Sequence, residues 1–306
     1  MSTFFLLFLP VIVPILGGFG VFIIRFQNRT ARQIYVGAVV IVNMILSLVA
    51  IFVAPKGQTV TLIPFTENYS IALRLDGMAV FFGFILCTLW VVATFYSFEY
   101  MKHEGKENKF FGFYTMSFGI AMGLAFSANL LTFYLFYELL TLGTLPLVMH
   151  AMNPQAQYAG KKYIVYSIGG AAFAFIAMVF MMYYGTSLDF TFGGVLDMLQ
   201  VAGHEQWLLV VFVLAFFGFG VKAAVFPLSG WLPSAGVAPT PVTALLHAVA
   251  VVNAGVYALV RLIYYTFGTE FLSGSWAQYV VMSAALVTIV YGSSMALRNP
   301  HLKRRL

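Results

Sequence analysis

Long apolar runs separated by short polar connections organise the whole chain. Runs of a length that crosses a bilayer as helix, for which about 20 residues suffice, occur at 3–25, 32–54, 76–98, 111–127, 130–149, 162–185, 207–226, 241–266 and 275–297. The pattern predicts an all-α, polytopic membrane protein of about nine transmembrane helices, the fourth and fifth barely separated at Ser127–Asn129. The seventh run is different. It stops near Pro227 and is followed by LSGWLPSAGVAPTP, which places prolines 227, 233, 239 and 241 within fifteen residues. Proline removes a backbone donor and clashes with the preceding turn, so a regular helix cannot continue. Irregular backbone at membrane depth is tolerated only inside protein or beside a water-filled cavity. The seventh helix is therefore expected to be broken.

Composition strengthens this picture. Of 306 residues, 61% are hydrophobic and 8% charged, against roughly a quarter charged in soluble domains. Lipid must be the solvent for most of the surface. The first run, FFLLFLPVIVPILGGFGVFII, is too long for a signal-peptide core and reads as a retained span. No connection is long enough to bury a soluble core, so residues 1–306 read as a single transmembrane domain.

Charge adds an orientation. Alternate connections and span ends on one side hold Arg25, Arg29, Arg32, Lys102, Lys106, Lys109, Lys161, Lys162, Arg298, Lys303, Arg304 and Arg305, whereas the opposite side holds Lys56 and Arg74. By the positive-inside rule the N-terminus faces out and the tail faces the cytoplasm, which places the chain in the cell inner membrane. These basic residues form no aromatic-interleaved patch, so nucleic acid is not a partner despite the net charge of +6. Cys87 is the single cysteine, which excludes disulfides within the chain and cysteine-ligated clusters. The histidines at 103, 150, 204, 247 and 301 show no paired ligand spacing. Neither metal nor other cofactor is expected, and the aromatic content demands neither haem nor quinone.

The chemistry is carried by the charges that remain inside the apolar runs. Glu138, in FYELLTLGTLPLVMH, lies near mid-span, and Lys222 falls where the seventh run gives way to the broken segment. Isolated charges at this depth are costly and usually functional. A carboxylate and an ammonium on two helices of one bundle lower each other's cost and can still exchange a proton. The competing reading is a static ion pair that fixes packing. His247, in the eighth run near Thr243, can pass a proton on near neutrality, or be a buried imidazole bonded to a carbonyl. Ser167, with Gly169 and Gly170, allows close helix approach and offers a hydroxyl for a water, with structure the stronger reading. His150, Lys161 and Lys162 flank a cytoplasmic connection and could collect protons. Arg261, nearer the outer end of its helix, can snorkel, with structural anchoring the stronger reading. Trp207, Trp231 and Trp276 are expected at interfaces.

KAAVFPLSGWLPSAGVAPTPVTALLHAVAVVNAGVYALVR, with its ordered lysine, WLP, PTPV and LLHA elements, resembles the antiporter-like family. These are the proton-translocating membrane subunits shared by respiratory complex I, multisubunit sodium/proton antiporters and membrane-bound hydrogenases. FYELLTLGTLPLVMH is similar to the family's fifth helix, LRLDGMAVFF at 73–82 to the start of its third, and the resemblance covers essentially the whole chain. It implies the N-terminal part of a fourteen-helix fold, with 110–240 as the first five-helix ion-translocating unit. By this resemblance Glu138 is the essential glutamate, Lys222 the lysine of the broken helix and His247 the basic residue of the eighth. Lys303, in NPHLKRRL, matches a lysine at the start of a later helix. Ser229 stands where many members have histidine. The wording of the Glu138 helix is nearest the hydrogenase-linked and D-type antiporter branches. The family pattern continues beyond position 306, so a truncated or split subunit is expected, completed by a partner chain.

These readings lead to a proton-translocating subunit of a larger complex. Glu138, Lys222, His247 and Lys303 form its relay, supported by Ser167, Pro227, Ser229, Thr243 and His150. Its partners are other membrane subunits of a complex I-like, hydrogenase-like or sodium/proton antiporter assembly, and the driving reaction or gradient lies outside the chain. A sodium/proton antiporter component and a non-conducting membrane anchor remain as alternatives. A lipid- or quinone-directed enzyme has no convergent polar site to support it.

Overall fold

The computed structural model describes residues 2–66, 68–300 and 302–305. His301, one of the five histidines, lies outside them. Seven helices among the described residues are long and apolar enough to cross a membrane. They are α1 (Thr3–Ile23), α2 (Arg29–Val53), α3 (Gly77–Tyr100), α5 (Leu130–Val148), α6 (Pro154–Tyr184), the composite helix Thr240–Phe267 and α13 (Trp276–Arg298). The expected run at 111–127 falls on α4 (Glu107–Ala125), and that at 207–226 on the shorter α8 (Glu205–Gly220).

Polar residues at the run boundaries start several helices. Asn28, Asp76, Asn129, Asn153 and Ser275 each accept a backbone N–H from the first turn of α2, α3, α5, α6 and α13. These caps satisfy donors that a helix start leaves open. Glu107, in the first turn of α4, pairs with Arg29 at 2.7 Å and with Arg32, so two residues counted for topology also tie α2 to α4.

The helical fold carries one small β element. Between α2 and α3 the chain forms an antiparallel hairpin, β1 (Thr59–Pro64) and β2 (Ser70–Arg74). TVTLIP is rich in β-branched residues, as strands are, and turns Val60 and, less fully, Leu62 inward between exposed neighbours. The hairpin is also locked from outside. Arg74 N–H donates to the Phe126 carbonyl, Ala128 N–H to the Ala72 carbonyl, and Ala72 N–H to Thr132 Oγ1. The turn between α4 and α5 thus acts as a partial third strand.

The 186–206 connection, which contains α7 (Met198–Val201), joins the same end of the bundle. Its Thr191, Gly193 and Val195 donate to carbonyls of Tyr265, Tyr264 and Thr266.

The expected break is present and begins earlier than Pro227. Helix α8 ends at Gly220, Ala224 adopts φ +55°, and Leu228–Gly230 forms a 3₁₀ turn. Two short helices follow, α9 (Trp231–Ala235) and α10 (Thr240–Ala244). The composite helix then runs through a π-helical segment Leu245–Val249, α11 (Val251–Val260) and a second π segment, Arg261–Phe267. The short α12 (Thr269–Leu272) precedes α13, and α14 (Leu302–Arg305) ends the described chain. Gly170 provides the close approach expected of the SIGG stretch: a Cβ there would lie 2.6 Å from the Gly218 carbonyl oxygen of α8. Gly169 has nothing within 4 Å and takes no part.

Candidate functional site

The end of α8 delivers Lys222 into the interior, where its side chain is 1% exposed. Three groups of α5 receive it. The ammonium donates to the Tyr137 carbonyl oxygen, lies 3.2 Å from the centroid of the Tyr137 ring, and sits 3.7 Å from Glu138 Oε1. A cation over an aromatic face gains electrostatic stabilisation. Tyr137 is held for this contact by its hydroxyl, which donates to the Phe219 carbonyl of α8 at 2.8 Å. Glu138 is 25% exposed on its side chain, and its Oε1 is buried without a hydrogen bond. The pair is therefore close and asymmetric, with the cation enclosed and the anion at the edge. Such an arrangement can hold a proton on either group.

Gly255 of α11 packs directly on this corner. A Cβ at that position would lie 2.6 Å from the Lys222 carbonyl carbon and 2.8 Å from Ala223 Cα. Both are backbone atoms and cannot rotate away. Gly255→Ala is expected to cost about 1–3 kcal/mol, the usual range for overpacking, and to lower the melting temperature of the purified protein. An unchanged melting temperature would show that the break yields freely.

Three other predicted residues meet elsewhere. Ser229, His247 and Lys303 line one cavity of about 230 Å³, together with Ala224, Thr288 and Asn299. Lys303 Nζ donates to the Ala238 carbonyl at 3.1 Å. His247 Nε2 is buried and has no protein partner among the described residues. Ala224, two residues beyond Lys222, links this cavity in sequence to the charge pair.

The remaining candidates are dispersed. Pro227, with a cis bond to Phe226, ends the non-helical stretch after Lys222. Thr243 returns its hydroxyl to the Pro239 carbonyl at 3.5 Å. His150 is buried at the end of α5, with its Nε2 3.0 Å from the Gly105 carbonyl. Burial holds this imidazole below its ordinary range, although the Gly105 bond opposes that shift. Ser167 is buried on α6 with an unpartnered hydroxyl.

Arg261 is held as a structural anchor and does not snorkel. It is 1% exposed and makes two bonds to Asp76, at 2.5 and 2.8 Å, with the rings of Phe190, Tyr257 and Tyr265 within 5.0 Å. The cap of α3 places a carboxylate at its depth, so the guanidinium has no need to reach for water. Trp231 is fully buried rather than interfacial, and its indole N–H donates to the Val221 carbonyl at 2.7 Å. The same carbonyl also accepts the Ala224 N–H at 3.1 Å, so the indole is its second donor.

Tyr137, Gly255 and the Asp76–Arg261 pair were not singled out by sequence reasoning. Tyr137 had a signal, since it immediately precedes Glu138. The other contacts depend on tertiary placement.

Comparison with known proteins places the chain in a family. Residues 127–306 match the family model described as NADH:quinone oxidoreductase/Mrp antiporter, TM. The chain is 28% identical over 292 residues to the A-type Na(+)/H(+) antiporter subunit of Alkalihalophilus pseudofirmus, covering 92% of this chain and 35% of that protein. It is 26% identical over 314 residues to the chloroplastic NAD(P)H-quinone oxidoreductase subunit 5 of Piper cenocladum, covering 98% and 42%. The antiporter relative is thus of the A type, whereas the wording of the Glu138 helix pointed to the D type. The chain spans less than half the length of either relative.

Two solved structures share the fold. A chain of the Mrp complex from Dietzia sp. DQ12-45-1b aligns with TM-score 0.80 and 24% identity over 98% of this chain and 32% of that one. A chain of the membrane-bound sulfane sulfur reductase, an archaeal respiratory membrane complex, aligns with TM-score 0.79 and 21% identity over 97% and 60%. With its apolar helices and a match across more than half its length, this multi-pass membrane protein belongs to the NADH:quinone oxidoreductase/Mrp antiporter transmembrane family.

Proposed function

We propose that this chain is a proton-translocating subunit of a multisubunit membrane complex, in which Glu138 and Lys222 exchange a proton as the distance between them changes. The observation that carries this reading is an enclosed ammonium at a helix break with a carboxylate 3.7 Å away. With the pair closed, the carboxylate keeps the ammonium charged. When a neighbouring subunit pulls Glu138 aside, an ammonium left in a water-poor interior releases its proton. His247, Ser229 and Lys303 receive that proton in their shared cavity and pass it along the bundle.

The N-terminus faces outward and the basic connections face the cytoplasm, so protons enter from the cytoplasmic side of the cell inner membrane. Drive comes from other membrane subunits, through redox chemistry or an opposing cation gradient. A polypeptide covering the remaining length seen in the relatives supplies the second half of the path. The name of the Alkalihalophilus relative favours a second reading, a component of a sodium/proton antiporter. Among the described residues no cluster of three acidic, histidine or cysteine side chains converges, so a sodium site would lie in another subunit.

Proton flux decides the first reading. Assembled complexes carrying Lys222→Ala or Glu138→Ala, reconstituted in vesicles, are expected to lose flux while retaining their subunits. Wild-type flux in both variants would refute the proposal, and a sodium requirement for wild-type flux would favour the antiporter reading.

A further inference from the structure

Glu138, Thr141 and Thr144 recur every three residues along α5, a spacing that stacks side chains along one stripe of a helix. Tyr163 and Ser167, four residues apart on α6, are brought to the same stripe. Tyr163 OH and Thr144 Oγ1 lie 2.8 Å apart, and Thr144 Oγ1 also donates to the Leu140 carbonyl at 2.7 Å. The hydroxyls of Thr141 and Ser167 are buried and make no hydrogen bond to a described protein group. Glu138 Oε1 is likewise buried and unbonded.

Thr141, Thr144, Tyr163 and Ser167 are all at most 2% exposed. Four convergent hydroxyls and a carboxylate, several without partners, meet the two-to-four polar contacts that a buried water needs. Toward the other end of α5 the situation is opposite. Thr132 bonds to Ala72 N–H and Ser70 O, and Asn129 is bonded through both its amide and its carbonyl. Along this helix the unsatisfied buried oxygens among the described residues are Glu138 Oε1 and Thr141 Oγ1, one turn apart and followed by the bonded Thr144.

We infer that Thr141, Tyr163 and Ser167 enclose ordered water, and that this water with the Thr144–Tyr163 hydroxyl pair carries protons between Glu138 and the α5–α6 end of the bundle. Resting on the proton-transfer reading above, it gives Glu138 a route separate from the cavity of His247 and Lys303. A water accepts a proton at one side and donates another from its far side, so each step conserves charge and forms and breaks one O–H bond. Tyr163 stands at the branch, because its ring also packs 5.0 Å from that of Trp231 on the helix break.

The test follows hydrogen–deuterium exchange of the Glu138 carboxyl by infrared difference spectroscopy on the reconstituted complex, with Glu138→Gln assigning the band and proton flux measured in parallel. Thr141→Val and Tyr163→Phe keep shape and remove the hydroxyl. Both are expected to slow exchange and flux by about tenfold, the effect of roughly one lost hydrogen bond. Thr141→Ser should restore both, which a packing role would not allow. Thr88→Val, at a hydroxyl bonded to its own helix, should leave both unchanged. Wild-type exchange in Thr141→Val and Tyr163→Phe would overturn the route. If Lys222→Ala still removed flux in that case, the charge-pair reading would survive without this route, whereas full flux in Lys222→Ala would refute that reading first.

Discussion

Asp76→Asn is expected to destabilise the protein by about 3–5 kcal/mol, the usual cost of removing one partner from a buried ion pair. The change keeps the size of the side chain and can retain the cap on Ala79 N–H. What it removes is the charge facing Arg261, whose guanidinium is 1% exposed and, among the described residues, forms its ion pair with Asp76. Tyr257 OH accepts from Arg261 Nε and Nη2 and donates to the Ala125 carbonyl, so the loss spreads into α4.

Arg261→Met removes the charge from the enclosed side and keeps bulk among the three rings, so it should cost less. The stranded carboxylate in that variant is 21% exposed and can be hydrated. The double variant Asp76→Asn/Arg261→Met should recover most of the loss, since a buried pair replaced as a whole is often close to neutral. Melting temperatures in detergent would check this order. A double variant as unstable as the sum of the single changes would show that the two side chains do not act as a pair.

The same pair sets an acid limit. Burial raises the Asp76 carboxyl, but Arg261, the Ala79 N–H and Arg74 outweigh it and hold the group below its ordinary range. A depressed folded-state value means that the unfolded chain binds the proton first as pH falls. The stabilisation is therefore complete at neutral pH, begins to fade at about pH 4, where an ordinary Asp titrates, and is gone below the folded-state value. Wild-type melting temperature should fall in that window, and the double variant should lack this component of the fall.

Sequence reasoning reached the parts of the structure that depend on lipid and on backbone chemistry. Apolar runs located the long helices because a span must be apolar along its length. Clustered prolines located the break because proline acts on its own neighbours. Glu138 and Lys222 stood out because charge is rare in such runs, and the structure brings them together. Less legible were features that depend on what faces what. The 59–74 hairpin was hidden because a connection between spans is short whether it is loop or sheet, and its third partner is a turn more than fifty residues away. Nothing local in the sequence pairs Arg261 with Asp76, because the two lie 185 positions apart. Trp231 resembled an interfacial residue because its burial and its bond to the Val221 carbonyl depend on how the break folds. His247 and Lys303 were both singled out, but nothing in their spacing shows that one cavity would hold them.

The distance between the two central charges gives the sharpest prediction. At 3.7 Å, and with an effective dielectric of about 20, their attraction is about 4 kcal/mol. Glu138→Asp withdraws the carboxylate by roughly one C–C bond and, with rotation, opens the gap toward about 6 Å. The attraction then falls to about 3 kcal/mol by the same relation. The unrounded difference of about 1.7 kcal/mol is roughly ten- to twentyfold in the protonation balance between the two states. Glu138→Asp should therefore retain flux, reduced by about that factor, whereas Glu138→Gln should have none because the ammonium has lost its carboxylate partner. Lys222→Arg should fail as well: a guanidinium carries the charge but does not give up its proton near neutral pH. Charge without proton release separates a relay from a static pair. If Lys222→Arg pumped as well as wild type in an assembled complex, the lysine would be a structural cation, and exchange between positions 138 and 222 could not be the working step.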